Sequence, residues 1–261
     1  MQAIILEKLS EIEREEGVKI VYACESGSRA WGFPSADSDY DVRFIYVRPS
    51  ADYLRLDEPR DVIERPIVGD LDVNGWDIRK TLKLFYKSNP TLMEWLLSPI
   101  VYREVTASAA KIRELSGTFY QPAAAHAHYL SMAKTNFRSS LQGDEVSLKK
   151  YFYVLRPVLA MHWIEQGRGV VPTDFHLMLH DLSLDADLRN EINKLLEKKK
   201  SAGELGRGPR INVLSEFLEN ELQIRIDQPV NLPRIETDLN QLNRLLSEIL
   251  NEVWLESSET A

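Results

Sequence analysis

Cysteine is nearly absent from this chain, because Cys24 is the only one among 261 residues. A single cysteine cannot form a disulfide within the chain, so a small secreted fold built on disulfides is excluded, and a reducing compartment fits the composition. Cys24 ends the apolar run 20–24, where a cysteine usually packs as a small apolar side chain. We therefore expect Cys24 to be a core residue and not a nucleophile.

Long apolar runs are also missing. No stretch approaches the roughly 18 consecutive apolar residues of a membrane-spanning helix, and the first residues lack the basic and then apolar pattern of a signal peptide. We expect a cytoplasmic protein with no membrane partner. Positive charge is in deficit, with 32 Lys and Arg against 40 Asp and Glu and a net charge of -8. This balance disfavours a broad surface for duplex nucleic acid, although a local basic groove remains compatible with it.

The most informative stretch lies between two apolar runs, 20–24 and 42–47. Both runs are rich in β-branched and aromatic residues, which favours strands. Between them, Gly27-Ser28 begins a short turn or helix, and 33–38 has the composition of a turn. The second strand starts at Asp39-Tyr40-Asp41, and because side chains alternate along a strand, the two aspartates point to the same face.

Two carboxylates on one strand face repel each other unless a cation lies between them. A hard divalent cation takes oxygen ligands and cancels that repulsion. The turn at Gly27-Ser28 offers backbone N–H groups and a hydroxyl to a phosphate. Together these parts suit metal-assisted phosphoryl or nucleotidyl transfer. The alternative interpretation is a strand edge whose solvated aspartates discourage pairing with other chains.

The order Gly-Ser, then Asp-x-Asp on the following strand, resembles the signature of the polymerase-beta-like nucleotidyltransferase superfamily. The longer stretch GSRAWGFPSADSDYDVR, at 27–43, is similar to a bacterial and phage group of predicted nucleotidyltransferases, some of them linked with RNA-repair operons. Segments 128–136 and 149–157 look like the same group. The resemblance therefore covers most of residues 20–180.

The resemblance implies an enzyme that moves a nucleoside monophosphate from an NTP, with ATP expected, to an acceptor hydroxyl and releases pyrophosphate. It implies two Mg²⁺ or Mn²⁺ ions, held by Asp39, Asp41 and a third carboxylate from a neighbouring strand. Gly27 and Ser28 would hold the β- and γ-phosphates, and Arg43 would either assist them or pair with Asp41. The acceptor stays open: an RNA end follows from the resemblance alone, and a protein hydroxyl or a small molecule is also compatible with the sequence.

The candidates for the third carboxylate are Asp70, Asp72 and Asp77. In a strand through 73–79, Asp77 and Asp72 lie on opposite faces, and the segment 77–79 also resembles the third-carboxylate strand of the superfamily. We choose Asp77 as the third metal ligand and keep Asp72 as the alternative. Asp77 is also well placed to cap a helix that begins at Ile78.

Beyond about residue 105, strand patterns give way to long amphipathic ones, at 106–116, 121–141, 145–166, 186–200, 209–225 and 235–256. Their period and length predict helices. In the first half, a helix over 2–16 ends at Gly17, and Asn89-Pro90 begins another. The sequence thus predicts an α+β protein, with a polymerase-beta-like nucleotidyltransferase domain of mixed sheet and helices over 1–105. It also predicts an all-helical domain over 106–261 that closes the nucleotide cleft.

One predicted helix carries four candidates for binding the nucleotide: Lys149, Lys150, Tyr153 and Arg156. Lys149, Tyr153 and Arg156 follow at i, i+4 and i+7 and share one face. Their cations would balance the charge of a triphosphate, and Tyr153 would stack on the base. The alternative is a solvated face or ion pairs with acids of the chain.

Two other functions remain compatible with the sequence. A catalytically inactive, antitoxin-like member would bind a nucleotide or a partner without releasing pyrophosphate, and a plain helical interaction protein would not respond to an NTP with Mg²⁺. A basic segment comprises Lys194, Lys198, Lys199, Lys200, Arg207 and Arg210. It would either contact an acidic acceptor such as RNA or form the solvated end of a helix.

Overall fold

A mixed five-stranded sheet forms the N-terminal half of the computed structural model, which describes residues 1–202 and 205–254. Its strands are β1 (Lys19–Glu25), β2 (Tyr40–Val47), β3 (Val62–Glu64), β4 (Leu71–Asp77) and β5 (Val101–Glu104), in the order β3-β4-β2-β1-β5. Strands β2 and β4 run parallel, and the other neighbours are antiparallel. The parallel pair brings two distant parts of the sequence side by side.

Buried apolar residues follow one another along β1 and β2, and because successive side chains point to opposite faces, both faces of the sheet are covered. Helix α1 (Gln2–Glu16) packs three buried residues against one face: Ile5, Leu9 and Ile12. The predicted end of α1 is confirmed, since Gly17 has φ 62°, a left-handed conformation that suits glycine. The opposite face carries Ile45, which belongs to a core cluster shared with the helices of the second half.

Helices make up most of the remaining chain. In chain order they are α2 (Gly27–Ala30), a 3₁₀ helix (Ser50–Leu54), α3 (Ile78–Tyr86), α4 (Pro90–Leu96), α5 (Ser108–Glu114), α6 (Ser116–Phe119), α7 (Pro122–Ser140), α8 (Leu148–Glu165), α9 (Phe175–Asp181), α10 (Ala186–Ala202), α11 (Asn212–Asp227) and α12 (Leu239–Trp254). The predicted start of α4 is confirmed, because the Asn89 side chain accepts from the Leu92 N–H at 3.1 Å. Helices formed by residues 1–202 and 205–254 all fall short of the length and apolarity needed to cross a bilayer.

The α+β class and the helical C-terminal half are confirmed, with two short additions. Strand β5 and a two-stranded ribbon of β6 (Glu145–Ser147) and β7 (Arg207–Pro209) lie outside the predicted strands. Segments of three or four residues are too short to show a readable alternation. The core cluster that contains Ile45 also contains Leu155 and Ile249, so apolar packing continues across residue 105. The division into two domains stays a prediction.

Candidate functional site

A glycine turn places the carboxylate of Asp41. Gly27 follows β1 and has φ 60°, and a Cβ at this position would lie 2.1 Å from Asp41 Oδ2. The carboxylate therefore lies directly against bare glycine backbone. The buried Glu25 side chain holds the same junction, because it accepts a hydrogen bond from the Asp41 N–H at 2.7 Å. Burial raises the pKa of Glu25, and the Asp41 N–H and the Tyr102 hydroxyl supply hydrogen bonds to its charged form.

Replacing Gly27 with alanine tests this close approach. We expect Gly27→Ala to lower the free energy of unfolding by about 2 to 3 kcal/mol, since a left-handed alanine costs about 1 kcal/mol and the clash with Asp41 adds an overpacking cost. Gly17→Ala is the matched control, because Gly17 has φ 62° and nothing lies within 4 Å of a Cβ there. It should cost only about 1 kcal/mol. Urea denaturation measures both losses, and equal values would contradict the proposed clash.

Hydrogen bonds hold the loop that leads to Asp39. The Ser38 hydroxyl accepts from the Ser35 N–H at 2.9 Å and from the Ser28 hydroxyl at 3.1 Å. The Arg29 guanidinium donates to the carbonyl oxygens of Ser38 and Asp39, at 2.7 and 3.1 Å. These hydrogen bonds fix the backbone just before β2 and therefore restrict the position of Asp39.

A cleft with a volume of about 150 Å³ brings together residues from both halves of the chain. It is lined by Ser28, Trp31, Phe33, Ser35, Asp37, Ser38, Asp39, Asp41, Lys149, Phe152, Tyr153 and Lys199. Five of the predicted site residues are among them: Ser28, Asp39, Asp41, Lys149 and Tyr153. The sheet half supplies the aspartates, and α8 and α10 supply the two lysines.

Arg43 joins carboxylates of neighbouring strands. Asp41 of β2 lies opposite Asp72 of β4 in the parallel register, and the Arg43 guanidinium donates to Asp41 Oδ1 and Asp72 Oδ2 at 2.8 Å each. Of the two roles predicted for Arg43, the structure therefore has the ion pair with Asp41.

The charge balance at Asp41 follows from these neighbours. Burial raises the pKa of Asp41, Asp72 and Asp39 raise it further, and Arg43 and Lys149 oppose the rise. The Arg43 guanidinium occupies the space between Asp41 and Asp72 that a cation would take. As the side chains stand, no three carboxylate, histidine or cysteine groups of the described residues are arranged to hold a metal ion.

Asp77 lies away from this cluster. In the β2–β4 register it is opposite Tyr46, five residues beyond the pair of Asp41 and Asp72, which is about 16 Å along the strand. Its carboxylate caps α3 by accepting from the Arg79 N–H at 2.7 Å. This placement does not support Asp77 as the third metal ligand and favours the alternative, Asp72, because Asp72 is the carboxylate beside Asp41. Only the strand register, which joins distant segments, decides between them.

Arg156 is buried below the cleft and is 3% exposed. Its guanidinium pairs with Glu94, donates to the Thr173 carbonyl at 3.2 Å and lies 4.6 Å from the ring centroid of Trp31. Arg156 shares a side of α8 with Tyr153, but it does not line the cleft. This position does not support its predicted role as a nucleotide ligand. Helical spacing predicts the angle around a helix and not the depth: Tyr153 is half-buried, whereas residues 154–161 are all buried.

Two lysines lie in surroundings that differ from those predicted from the sequence. Lys150 lies over the ring of Tyr153, with its Nζ 4.4 Å from the ring centroid, and does not line the cleft itself. Lys199, assigned from the sequence to a basic helix end, is 3% exposed and lines the cleft. Its neighbours Lys198 and Lys200 are exposed. The only sequence signal for Lys199 is its helical offset from the apolar positions of α10.

The chain is similar to a known family and to individual proteins. The family model described as RNA repair pathway DNA polymerase beta family matches residues 1–248. The uncharacterized protein YcgL of Bacillus subtilis (strain 168) is 48% identical over 255 residues, which are 97% of this chain and 98% of that protein. A nucleotidyltransferase-like protein from Exiguobacterium sibiricum 255-15, known from a crystal structure, is 11% identical with a TM-score of 0.35 over 97% of this chain and 92% of its own. The family match confirms the resemblance seen at 27–43, and the chain therefore belongs to the RNA repair pathway DNA polymerase beta family, within the polymerase-beta-like nucleotidyltransferases.

Proposed function

We propose that this protein transfers a nucleoside monophosphate from an NTP to an acceptor hydroxyl and releases pyrophosphate. Family membership supports a nucleotidyltransferase-type function. One observation carries the proposal further, namely the grouping of three carboxylates beside a glycine turn. Asp41 lies against Gly27, Asp39 lines the same cleft, and Asp72 is opposite Asp41 in the sheet.

These carboxylates fit divalent cations. Asp39, Asp41 and Asp72 offer the oxygen donors that Mg²⁺ and Mn²⁺ prefer. Burial and two carboxylate neighbours raise the pKa of Asp41 because they destabilise its charged form. A bound cation would offset that penalty. Arg43 meets part of that need, so its guanidinium must turn away before Asp41 and Asp72 hold an ion together. When bound, two such ions neutralise charge at the phosphates and lower the pKa of the acceptor hydroxyl.

Other residues of the cleft bind and orient the nucleotide. Lys149 balances the negative charge of the triphosphate, for which ATP is the expected donor. The Ser28 hydroxyl and the backbone at Gly27 hold its terminal phosphates. Tyr153 and Trp31, whose ring centroids are 5.5 Å apart, form an aromatic wall for the base. The cleft volume of about 150 Å³ is below that of ordinary small-molecule sites, so a whole nucleotide extends beyond the cleft or requires it to open.

The proposal is tested by incubating the purified protein with α-labelled NTPs, Mg²⁺ or Mn²⁺, and three acceptor classes: RNA ends, proteins and small hydroxyl compounds. We expect metal-dependent label transfer with matching pyrophosphate release, both abolished by EDTA. An NTP with metal at about 100 times its Kd should also stabilise the fold by about 2.7 kcal/mol. Absence of transfer and of pyrophosphate release for every combination would contradict the proposal.

A catalytically inactive nucleotide-binding or antitoxin-like protein is the second candidate. The bridge from Arg43 to Asp41 and Asp72 favours it, because the guanidinium neutralises both carboxylates without a metal. Calorimetry combined with a pyrophosphate assay separates the two functions. Binding of an NTP without any pyrophosphate release, in the presence of every acceptor class, would select the inactive protein.

A further inference from the structure

One face of α7 stands out by its charge. The chain has 40 Asp and Glu, but none of the 19 residues of α7 is acidic. On its solvent side a concave surface is lined by Ala127, Leu130, Ser131, Lys134, Thr135, Arg138 and Ser139. We name these seven residues the α7 face. It combines two cations and three hydroxyls on a protein whose net charge is -8.

The two cations of the α7 face have no carboxylate partner among residues 1–202 and 205–254, whereas Arg103 and Lys80 each pair with an acid. Lys134 and Arg138 are four residues apart, which is about 6 Å along the helix axis. The hydroxyls of Ser131, Thr135 and Ser139 repeat at the same interval. This pattern suits a ligand with regularly repeated negative charges and hydrogen-bonding groups.

The C-terminal end of the α7 face lies beside the start of α8. Helix α7 packs along α8, and only residues 141–147 connect them, so the two helices are antiparallel. The C-terminal turns of α7, with Lys134 and Arg138, therefore lie beside the first turns of α8. Those turns bring Lys149 and Tyr153 to the cleft. A strand bound along the α7 face thus runs toward the end of α8 that carries two residues of the proposed active site.

We propose that the α7 face binds the backbone of a single-stranded RNA whose end enters the cleft as the acceptor. This inference rests on the function proposed for the cleft and names its acceptor class. Lysine and arginine bind phosphates, and serine and threonine hydroxyls bond to phosphate oxygens and to the ribose 2′-hydroxyl. A narrow strip with two cations suits one strand, since the acidic remainder of the protein disfavours a broad duplex surface.

The test measures binding of a fluorescein-labelled single-stranded RNA by anisotropy, without NTP or metal. We expect Lys134→Glu/Arg138→Glu to weaken binding about tenfold or more. Lys134→Gln/Arg138→Gln should make the slope of log K against log salt concentration shallower by about 1.4, or about 0.7 for each lost phosphate contact. The matched control, called the α3 control, is Lys83→Glu/Lys87→Glu. It changes the same charge at the same spacing on two exposed lysines, Lys83 in the last turn of α3 and Lys87 at its C-cap. It should leave RNA affinity nearly unchanged.

Three outcomes would overturn this inference: unchanged RNA affinity in both α7 variants, equal weakening in the α3 control, or equal binding of DNA with the same sequence. The rise in melting temperature caused by NTP and metal is measured as well, because it reports on the proposed function of the cleft independently of RNA binding to the α7 face. It should persist in the α7 variants, which also shows that they fold. If it is missing from the wild type while the α7 variants lose RNA binding, the function proposed for the cleft fails, and with it the acceptor role of the RNA, whereas the RNA-binding surface stands.

Discussion

Asp41→Asn should reduce nucleotidyl transfer by about a thousandfold, which corresponds to about 4 kcal/mol of transition-state stabilisation. A neutral amide no longer attracts a cation, and it leaves Arg43 paired with Asp72 alone. Initial rates with a labelled NTP and metal measure the effect.

Two further variants decide which carboxylate completes the site. Asp72→Asn should lose about a hundredfold in rate, since Asp72 is opposite Asp41 in the sheet. Asp77→Asn is the matched control and should stay within about threefold of the wild type, because an amide oxygen can still accept from the Arg79 N–H and cap α3. If folded Asp77→Asn loses as much activity as Asp41→Asn, the argument from strand register is wrong.

Arg156→Met should destabilise the fold by about 3 to 5 kcal/mol, because it leaves the Glu94 carboxylate buried without its cation. Glu94 is 8% exposed, and its remaining side-chain contact is the Trp31 indole N–H at 3.3 Å. The second variant, Arg156→Met/Glu94→Leu, should recover most of the loss, since no charge then stays buried. Chemical denaturation followed by circular dichroism measures both values.

The control for Arg156 is a pair on the surface. Arg244 lies 3.7 Å from Asp238, and its side chain is 67% exposed, so Arg244→Met should change stability by less than about 0.5 kcal/mol. If Arg156→Met proves as harmless as this control but abolishes stabilisation by an NTP, then Arg156 binds the nucleotide and its structural assignment is wrong. The two roles thus give opposite patterns in the same pair of measurements.

Short-range patterns were enough to predict the first half of the site. The spacing from Gly27-Ser28 to Asp39 and Asp41, set between two apolar runs, predicts a strand, a turn and a strand, and the structure contains all three. The alternation of β2 predicts that Asp39 and Asp41 share a face, and both line the cleft. The long amphipathic patterns after residue 105 likewise predict the helices. These features depend on bonds and periodicities within one element, which the sequence displays directly.

Strand register and burial depth were determined only by the tertiary structure. Alternation assigns Asp72 and Asp77 to faces of β4, but it does not say which residue of β2 each one meets, and the register places Asp72 beside Asp41. Helical spacing puts Tyr153 and Arg156 on one side of α8, but only packing determines that Arg156 is buried against Glu94. Lys199 reaches the cleft because α10 folds back onto it. The sequence by itself thus determined the family and the residue types of the candidate site. The contacts between distant elements decided which side chains surround that site, since register and depth depend on partners far away in the chain.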